Sequence, residues 1–208
     1  METLQRHIGW DIGALGVAKE LSKILDATLV WQNYSRLVID CNRMLKHPSL
    51  IPKKSETTVI PGNLQITDKE RRQRIDEFYN PYHLKIKMLL DARSKAGIET
   101  IFISIHSFTP IYLSYQRPWE LGVLHSSDAS YSHSVLDFIS RKTNLKVGDN
   151  EPYKIDEKDC TIPTHALARK LPNTLFEVRQ DLITSNKDQQ SWGAQLAEIL
   201  TATASCAA

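Results

Sequence analysis

Two stretches of the sequence end an apolar run with a residue that could do chemistry. In "FISIHSFTP" Ile105 leads into His106, and in "LFEVRQDL" Phe176 leads into Glu177. A buried imidazole or carboxylate is costly unless a metal ion, a bound substrate or an ion pair compensates it. Each of these three compensators is a candidate, and the first two would make the pair part of a functional site.

The apolar pattern predicts the elements that must position these residues. "ETIFISIH", "LGVLH" and "TLFEVR" are typical of buried strands, and "ATLVWQNY" and "RLVID" indicate shorter β-rich runs. Apolar residues at helical spacing predict helices in "DIGALGVAKELSKILD", "SVLDFISRK" and "QSWGAQLAEIL". A capping box, "TDKE" at Thr67 to Glu70, opens a further helix that Pro81 is expected to kink.

Continuous apolar strands with helices between some of them predict the α/β class. We expect a single domain over residues 1–208, with a mostly parallel or mixed sheet and helices on both faces. In such sheets, ligands bind beyond the carboxyl ends of the strands. His106, Glu177 and the pair Asn42–Arg43 each follow or close a predicted strand, so a site is expected there.

Composition and charge narrow the class of protein. Lys and Arg number 26 against 24 Asp and Glu, a formal charge of +2, which gives no reason to expect a nucleic-acid or membrane partner. The sequence has no run of about 18 apolar residues that could span a membrane. Its cysteines, Cys41, Cys160 and Cys206, are too widely spaced for a disulfide framework or a metal knuckle. We therefore expect a soluble, cytoplasmic protein.

Nine segments in order along the chain make the sequence recognisable. It resembles the N-formylglutamate amidohydrolase family and, more distantly, the zinc carboxypeptidases, whose fold the resemblance implies. The segments are "HIGWDIGALG", "SRLVIDCNR", "IPGN", "NPYH", "SIHSFTP", "RPWELGVL", "VGDNEPY", "TIPTHA" and "FEVRQDLI".

The resemblance implies roles for individual residues. "SIHS" is similar to a segment whose histidine binds zinc, which implies His106 as a ligand, and "FEVR" implies Glu177 as the general base. "NR" in "DCNR" is similar to a pair that binds a substrate carboxylate, which implies Asn42 and Arg43. Asp11 opens the first predicted helix, where carboxypeptidase-like enzymes place their acidic zinc ligand.

The implied activity is zinc-dependent hydrolysis of N-formyl-L-glutamate to formate and glutamate, the last step of histidine breakdown. One zinc per chain would activate a water molecule. The partner is then a small molecule with two carboxylates, so a second cation is needed beside Arg43. The candidates are Arg36, Arg117 and Arg179. Another N-acyl amino acid or a small peptide remains open as substrate.

The sequence departs from the family pattern at its start. The family pattern places a strand and a histidine-bearing segment similar to "EHAS" before "HIGWDIGA", whereas Met1 stands only six residues before His7. A catalytic zinc normally takes three protein ligands. We expect an N-terminally incomplete domain that holds zinc weakly and is less stable than a complete relative, with His7 as a possible substitute ligand. The rival interpretation is a catalytically inactive remnant of the fold.

Each candidate also has a purely structural interpretation. His106 could be a hydrogen-bonded core histidine, Glu177 an ion-pair partner of Arg179, and Asp11 a helix N-cap. Asn42–Arg43 could be a turn at a strand end.

The other histidines and one acidic turn receive structural or open interpretations. His83 and His165 are interpreted by default as loop or helix-surface residues. The remaining histidines, His47, His125 and His133, are interpreted as surface residues. The turn "VGDNEPY" could line the pocket with Asp149, Asn150 and Glu151.

Overall fold

The computed structural model describes residues 6–207, which group into two units. The first unit comprises the N-terminal stretch through Trp10 together with Val30–Thr100 and Glu157–Ala168. The second comprises Asp11–Leu29, Ile101–Asp156 and the stretch from Arg169 onward.

Eight strands within residues 6–207 form one four-stranded sheet and two hairpins. In chain order they are β1 Lys54–Ser55, β2 Thr58–Val59, β3 Phe102–Phe108, β4 Ile111–Tyr112, β5 Tyr115–Gln116, β6 Leu121–Leu124, β7 Val147–Asp149 and β8 Asn173–Arg179. Strands β1 and β2 pair as one hairpin, and β4 and β5 as the other.

Six α-helices lie in the same part of the chain. They are α1 Ala14–Leu25, α2 Pro61–Leu64, α3 Asp68–Arg74, α4 Asn80–Lys95, α5 Ser130–Lys142 and α6 Asn186–Thr203. Short π-helical segments span Ile75–Tyr79 and Ile162–Ala166, and 3₁₀ turns span Pro48–Leu50, Leu167–Arg169, Gln180–Leu182 and Ala204–Ala207. Among these helices, none combines the length and the apolarity needed to cross a membrane.

The four-stranded sheet belongs to the second unit and is mixed. Its strand order is β3-β8-β6-β7. Strand β3 runs parallel to β8 and β7 runs parallel to β6, whereas β6 runs antiparallel to β8. The three strands predicted from "ETIFISIH", "LGVLH" and "TLFEVR" are all present, so the predicted mixed α/β class is confirmed.

One face of this sheet carries the core of the second unit. Phe176 and Val178 lie two positions apart on β8, with Glu177 between them, and are fully buried. They belong to one apolar cluster with Val17 of α1, Val135 of α5 and Leu196 of α6. Each such side chain contributes about 1.5–3 kcal/mol by leaving water. Because side chains alternate along a strand, the side chain of Glu177 projects to the opposite face.

In the first unit, the capping box begins a long helical run as predicted. Thr67 Oγ1 accepts from the backbone N–H of Glu70 at 3.2 Å, and the backbone N–H of Thr67 donates to the Glu70 carboxylate at 2.8 Å. Helix α3 continues through the π-helical segment into α4, and Pro81 lies in the first turn of α4. Proline cannot donate a backbone hydrogen bond, and a widened turn before it fits that loss.

The predicted β-structure in "ATLVWQNY" and "RLVID" is wrong, because residues 27–40 form turns and irregular backbone. Their backbone groups bond to scattered partners: the Arg36 N–H donates to the Gly9 carbonyl and the Asp40 N–H to the Leu50 carbonyl. Ile39 is nevertheless only 1% exposed. The apolar pattern of residues 36–40 reflects burial in the first unit rather than a place in a sheet, whereas Trp31 and Tyr34 of the preceding stretch are 44% and 56% exposed.

Candidate active site

The carboxylate of Asp11 and the imidazole of His106 meet on the second unit. Asp11 Oδ2 lies 2.6 Å from His106 Nδ1, and the two side chains are 21% and 25% exposed. They are 95 positions apart in sequence, so only the tertiary structure joins them. The structure therefore brings together the two residues predicted as zinc ligands.

The turn before α1 positions Asp11. Gly13 is the N-cap of α1 with φ of 78°, and a Cβ at this glycine would lie 2.4 Å from the Ile183 carbonyl oxygen. Both the positive φ and the close approach of the Ile183 carbonyl oxygen therefore require a glycine at this position. Ser107 Oγ donates to the Ile12 carbonyl at 2.8 Å and ties the end of β3 to this turn. Because α1 is capped by Gly13, the interpretation of Asp11 as its N-cap is wrong.

Glu177 lies on the strand next to His106. The two residues are register partners on the parallel strands β3 and β8, and neighbouring strands are about 4.8 Å apart. Paired residues of parallel strands project to the same face, opposite the Phe176 core. Glu177 is 8% exposed and is flanked on β6 by its other register partner, Gly122. A second carboxylate therefore lies beside the Asp11–His106 contact.

These donor atoms fit a zinc ion chemically. Zinc in proteins takes imidazole nitrogen and carboxylate oxygen at about 2.0–2.2 Å, and both types converge at Asp11 and His106. Among residues 6–207 these two supply two ligand atoms at this point, where a catalytic zinc normally takes three from the protein. The same contact also orients the imidazole ring, because Nδ1 faces the carboxylate.

Asn42 and Arg43 share one carboxylate within the first unit. Arg43 Nη1 lies 2.7 Å from Asp159 Oδ1, and Asn42 Nδ2 donates to the same oxygen at 3.3 Å. Asn42 Oδ1 accepts from the backbone N–H of Thr161 at 3.0 Å. The pair thus ties its own turn to residues 159–161, and its predicted contact with a substrate carboxylate stays a prediction.

The other predicted substrate-binding arginines have internal partners too. Arg117 is 5% exposed, and its guanidinium carbon lies 4.9 Å from the ring centroid of Tyr112 and 4.8 Å from that of Tyr153. Arg179 Nε donates to Asp181 at 2.8 Å. Stacking on aromatic faces stabilises the buried guanidinium of Arg117 within the second unit, and its predicted contact with a substrate carboxylate stays a prediction.

Comparison with known proteins gives the family. Residues 1–184 match the sequence model of the N-formylglutamate amidohydrolase family. This chain belongs to that family. A gene product of Agrobacterium tumefaciens with a known crystal structure is 38% identical, with a TM-score of 0.94 over 98% of this chain and 81% of that chain.

A second solved structure shares less with this member of the family. N-formylglutamate amidohydrolase from Ralstonia eutropha JMP134 is 22% identical, with a TM-score of 0.48 over 80% of this chain and 74% of that chain. No curated protein matches the chain significantly. The resemblance predicted from the nine segments is confirmed, and membership supports hydrolase activity of the amidohydrolase type.

The chain contains a second group of chemically capable residues that the sequence analysis did not assign to a site. His125, His133 and Asp149 bring one ligand atom each to within 4.8 Å of one another. The interpretation as surface residues holds for His133, which is exposed, whereas the His125 side chain is only 11% exposed. His125 follows β6 and Asp149 ends β7, so the rule that polar residues at neighbouring strand ends meet could have found this pair.

His83 and His165 form a hydrogen-bonded pair in the first unit. His83 Nδ1 lies 2.8 Å from His165 Nε2, and His83 Nε2 lies 2.9 Å from the Cys41 carbonyl oxygen. A carbonyl can only accept, so His83 carries its proton on Nε2 and its Nδ1 accepts from His165. Burial lowers the pKa of His83. His165 is 3% exposed, and the surface interpretation is wrong for it.

Proposed function

We propose that the protein hydrolyses N-formyl-L-glutamate to formate and L-glutamate with the help of a zinc ion. The observation that carries the proposal is the 2.6 Å contact of Asp11 with His106, beside the register partner Glu177. Family membership supports the reaction class. We place the reaction in histidine breakdown. We also place it in the cytoplasm, because the three cysteines are all free thiols, as is usual in a reducing compartment.

Asp11 and His106 would hold the metal, which when bound supplies an activated water as nucleophile. Glu177 accepts a proton from the attacking water, whose oxygen joins the formyl carbon. The carboxylic acid so formed donates that proton to the amide nitrogen as the carbon–nitrogen bond breaks. Formate and glutamate leave, and Glu177 returns to its ionised form. Its low exposure keeps bulk water from competing for the proton.

The substrate carboxylates require cations. We propose that Asn42 and Arg43 bind one of them, since a guanidinium forms two parallel hydrogen bonds to a carboxylate. These two side chains already share the carboxylate of Asp159, so their donors suit this chemistry. Arg179 and Arg117 remain the proposed sources of the second positive charge.

The proposal is tested by formate release from N-formyl-L-glutamate with the Glu177→Gln variant. Removing one general base lowers kcat by about 10²-fold or more. Glu198→Gln on the exposed side of α6 is the matched control and is expected to retain parental activity. Circular dichroism of both variants checks that each is folded.

A Glu177→Gln enzyme as active as the parent would show that the base is assigned wrongly. Acetate release from N-acetyl-L-glutamate and formate release from N-formyl-L-methionine, measured beside formate release from N-formyl-L-glutamate, separate the substrates. Faster turnover of either compound would move the specificity to another N-acyl amino acid. Formate release from none of the N-formyl compounds by zinc-supplemented protein would refute the hydrolase proposal.

A further inference from the structure

His125, His133 and Asp149 form a cluster on the second unit that the proposed reaction does not use. His125 Nε2 lies 2.7 Å from Asp149 Oδ1. The His133 ring stands edge-on to the His125 ring with centroids 4.9 Å apart. The three ligand atoms lie within 4.8 Å of one another. We refer to these three residues as the His125 cluster.

The sheet positions the first two members of the cluster. Strands β6 and β7 run parallel, with Val123 paired to Asp149, so both strands end at the same edge. Asn150 then holds the strand ends together: its backbone N–H donates to the Val123 carbonyl, and its side-chain oxygen accepts from the His125 backbone N–H at 2.9 Å. Asn150 adopts a φ of 53°, a conformation that asparagine tolerates well.

The third member comes from a helix. His133 lies in the first turns of α5, which begins at Ser130, and its side chain is exposed. An exposed imidazole on a stable helix can rotate toward a ligand at little cost. The cluster thus combines two residues held by the sheet with one that can adjust.

We propose that the His125 cluster binds a divalent transition metal ion of the zinc type. His125 Nε2 and Asp149 Oδ1, 2.7 Å apart, share the hydrogen of one N–H, and a metal ion that binds both atoms would displace that proton. Two imidazoles and one carboxylate are a ligand set that zinc takes, at about 2.0–2.2 Å. Mg²⁺ and Ca²⁺ prefer sites made of oxygen ligands alone. Closing the ligand atoms from 4.8 Å onto one ion needs a shift that the exposed His133 ring can supply.

This site is separate from the candidate active site. Strand β6 runs antiparallel to β8, with Leu124 paired to Leu175, so β6 ends toward the edge at which β8 begins. His125 follows Leu124 and is therefore offset by about three residues, or roughly 10 Å along the strand, from Glu177. A metal ion here would join α5 to the strand ends and would not reach the proton-transfer group. The inference therefore goes beyond the proposed function.

Zinc binding to purified full-length protein tests the inference. Metal is first removed with a chelator, and zinc chloride alone is then equilibrated by dialysis at micromolar free concentration before elemental analysis. We expect His133→Gln to lose one bound zinc per chain relative to the parent. Asp137→Asn is the matched control. Asp137 lies one turn further along α5, and its exposed carboxylate pairs with Arg141. We expect this variant to keep the parental zinc content.

Asp11→Asn separates this inference from the proposed function. The zinc that depends on His133 is expected to remain in this variant. Equal zinc content in the parent and His133→Gln would overturn the inference, as would loss of all bound zinc in Asp11→Asn. If His133→Gln loses one zinc while Asp11→Asn loses none, the cluster binds metal and the metal dependence of the proposed reaction is the part that fails.

Discussion

Arg43 and Asp159 form a short ion pair in the first unit, at 2.7 Å and with 18% and 13% of their side chains exposed. Asn42 contacts the same carboxylate. A residue with such a partner can bind substrate, anchor its own turn, or do both. The three cases predict different values of KM for substitutions of Arg43 and of Asp159 made one at a time.

Arg43→Lys keeps the positive charge but removes the planar guanidinium group that can form two parallel hydrogen bonds to a carboxylate. If Arg43 binds a substrate carboxylate, the lost hydrogen bond to a charged group is worth about 1.5–3 kcal/mol, so KM for N-formyl-L-glutamate rises roughly 10- to 100-fold. The turnover number changes much less, because the contact is equal in ground and transition states. Steady-state formate release measures both constants.

Asp159→Asn is the companion variant, since it weakens the internal ion pair and leaves the guanidinium intact. We expect its KM to stay close to the parental value or to fall. A rise in KM as large as that of Arg43→Lys would instead show that the ion pair acts by anchoring residues 40–43.

Strand β6 depends on having no side chain at Gly122. This residue is paired with Glu177 on β8 and with Gly148 on β7. A Cβ at Gly122 would lie 2.3 Å from the backbone oxygen of Glu151 and 3.3 Å from the Cβ of Glu177. The backbone after β7 approaches the sheet closely here, on the face that carries the candidate active site.

Gly122→Ala should therefore destabilise the protein. The added methyl group must displace backbone, and overpacking of this kind costs about 1–3 kcal/mol. Thermal unfolding followed by circular dichroism is expected to show a midpoint several degrees below that of the parent.

Gly62→Ala is the control, because a Cβ at that helical glycine meets nothing within 4 Å. Alanine is the better helix former, so its midpoint is expected to equal or slightly exceed the parental one. Equal midpoints for the two alanine variants would contradict the close approach at Gly122.

Two apolar cores stabilise the chain, one in each unit. Ile39, Leu50 and Tyr79 belong to the first, and Phe176 and Leu196 to the second. The formal charge of +2 leaves little general self-repulsion near neutral pH. The pH dependence of stability therefore rests on individual groups whose pKa differs between the folded and unfolded states.

His83 is such a group. Burial lowers its folded-state pKa below the ordinary value of 6.5, so the unfolded chain binds this proton at a higher pH than the folded protein does. The contribution of neutral His83 to the free energy of unfolding is complete above pH 6.5. It is lost as the pH falls from 6.5 toward the folded-state pKa. We expect His83→Gln to reduce the slope of unfolding free energy against pH in that window, by at most about 1.4 kcal/mol per pH unit.

Urea unfolding at a series of pH values measures this slope. Tyr79→Phe is the control: its ring centroid lies 4.3 Å from that of His83, and it removes a neighbouring hydroxyl while leaving the histidine. This control is expected to lower stability at every pH and to keep the parental slope. A slope unchanged in His83→Gln would show that His83 does not contribute the pH dependence.

Local chemistry was sufficient for much of the architecture. The capping box at Thr67, the helices α1, α5 and α6 and the strands β3, β6 and β8 all follow from caps and apolar spacing within short windows. The same reasoning fails for residues 27–40, where an apolar pattern predicts strands but the backbone forms turns and irregular structure. Burial alone does not say whether the backbone bonds to a neighbouring strand or to scattered loop carbonyls.

By itself, the sequence determined the mixed α/β class, the family resemblance and the residue types available for hydrolysis. Only the tertiary structure decided which of them meet. Asp11 and His106 are 95 positions apart, and His125, His133 and Asp149 come from two strand ends and a helix. The register of β3 on β8 and of β6 on β7 sets these contacts, and no local pattern encodes a register between strands distant in sequence.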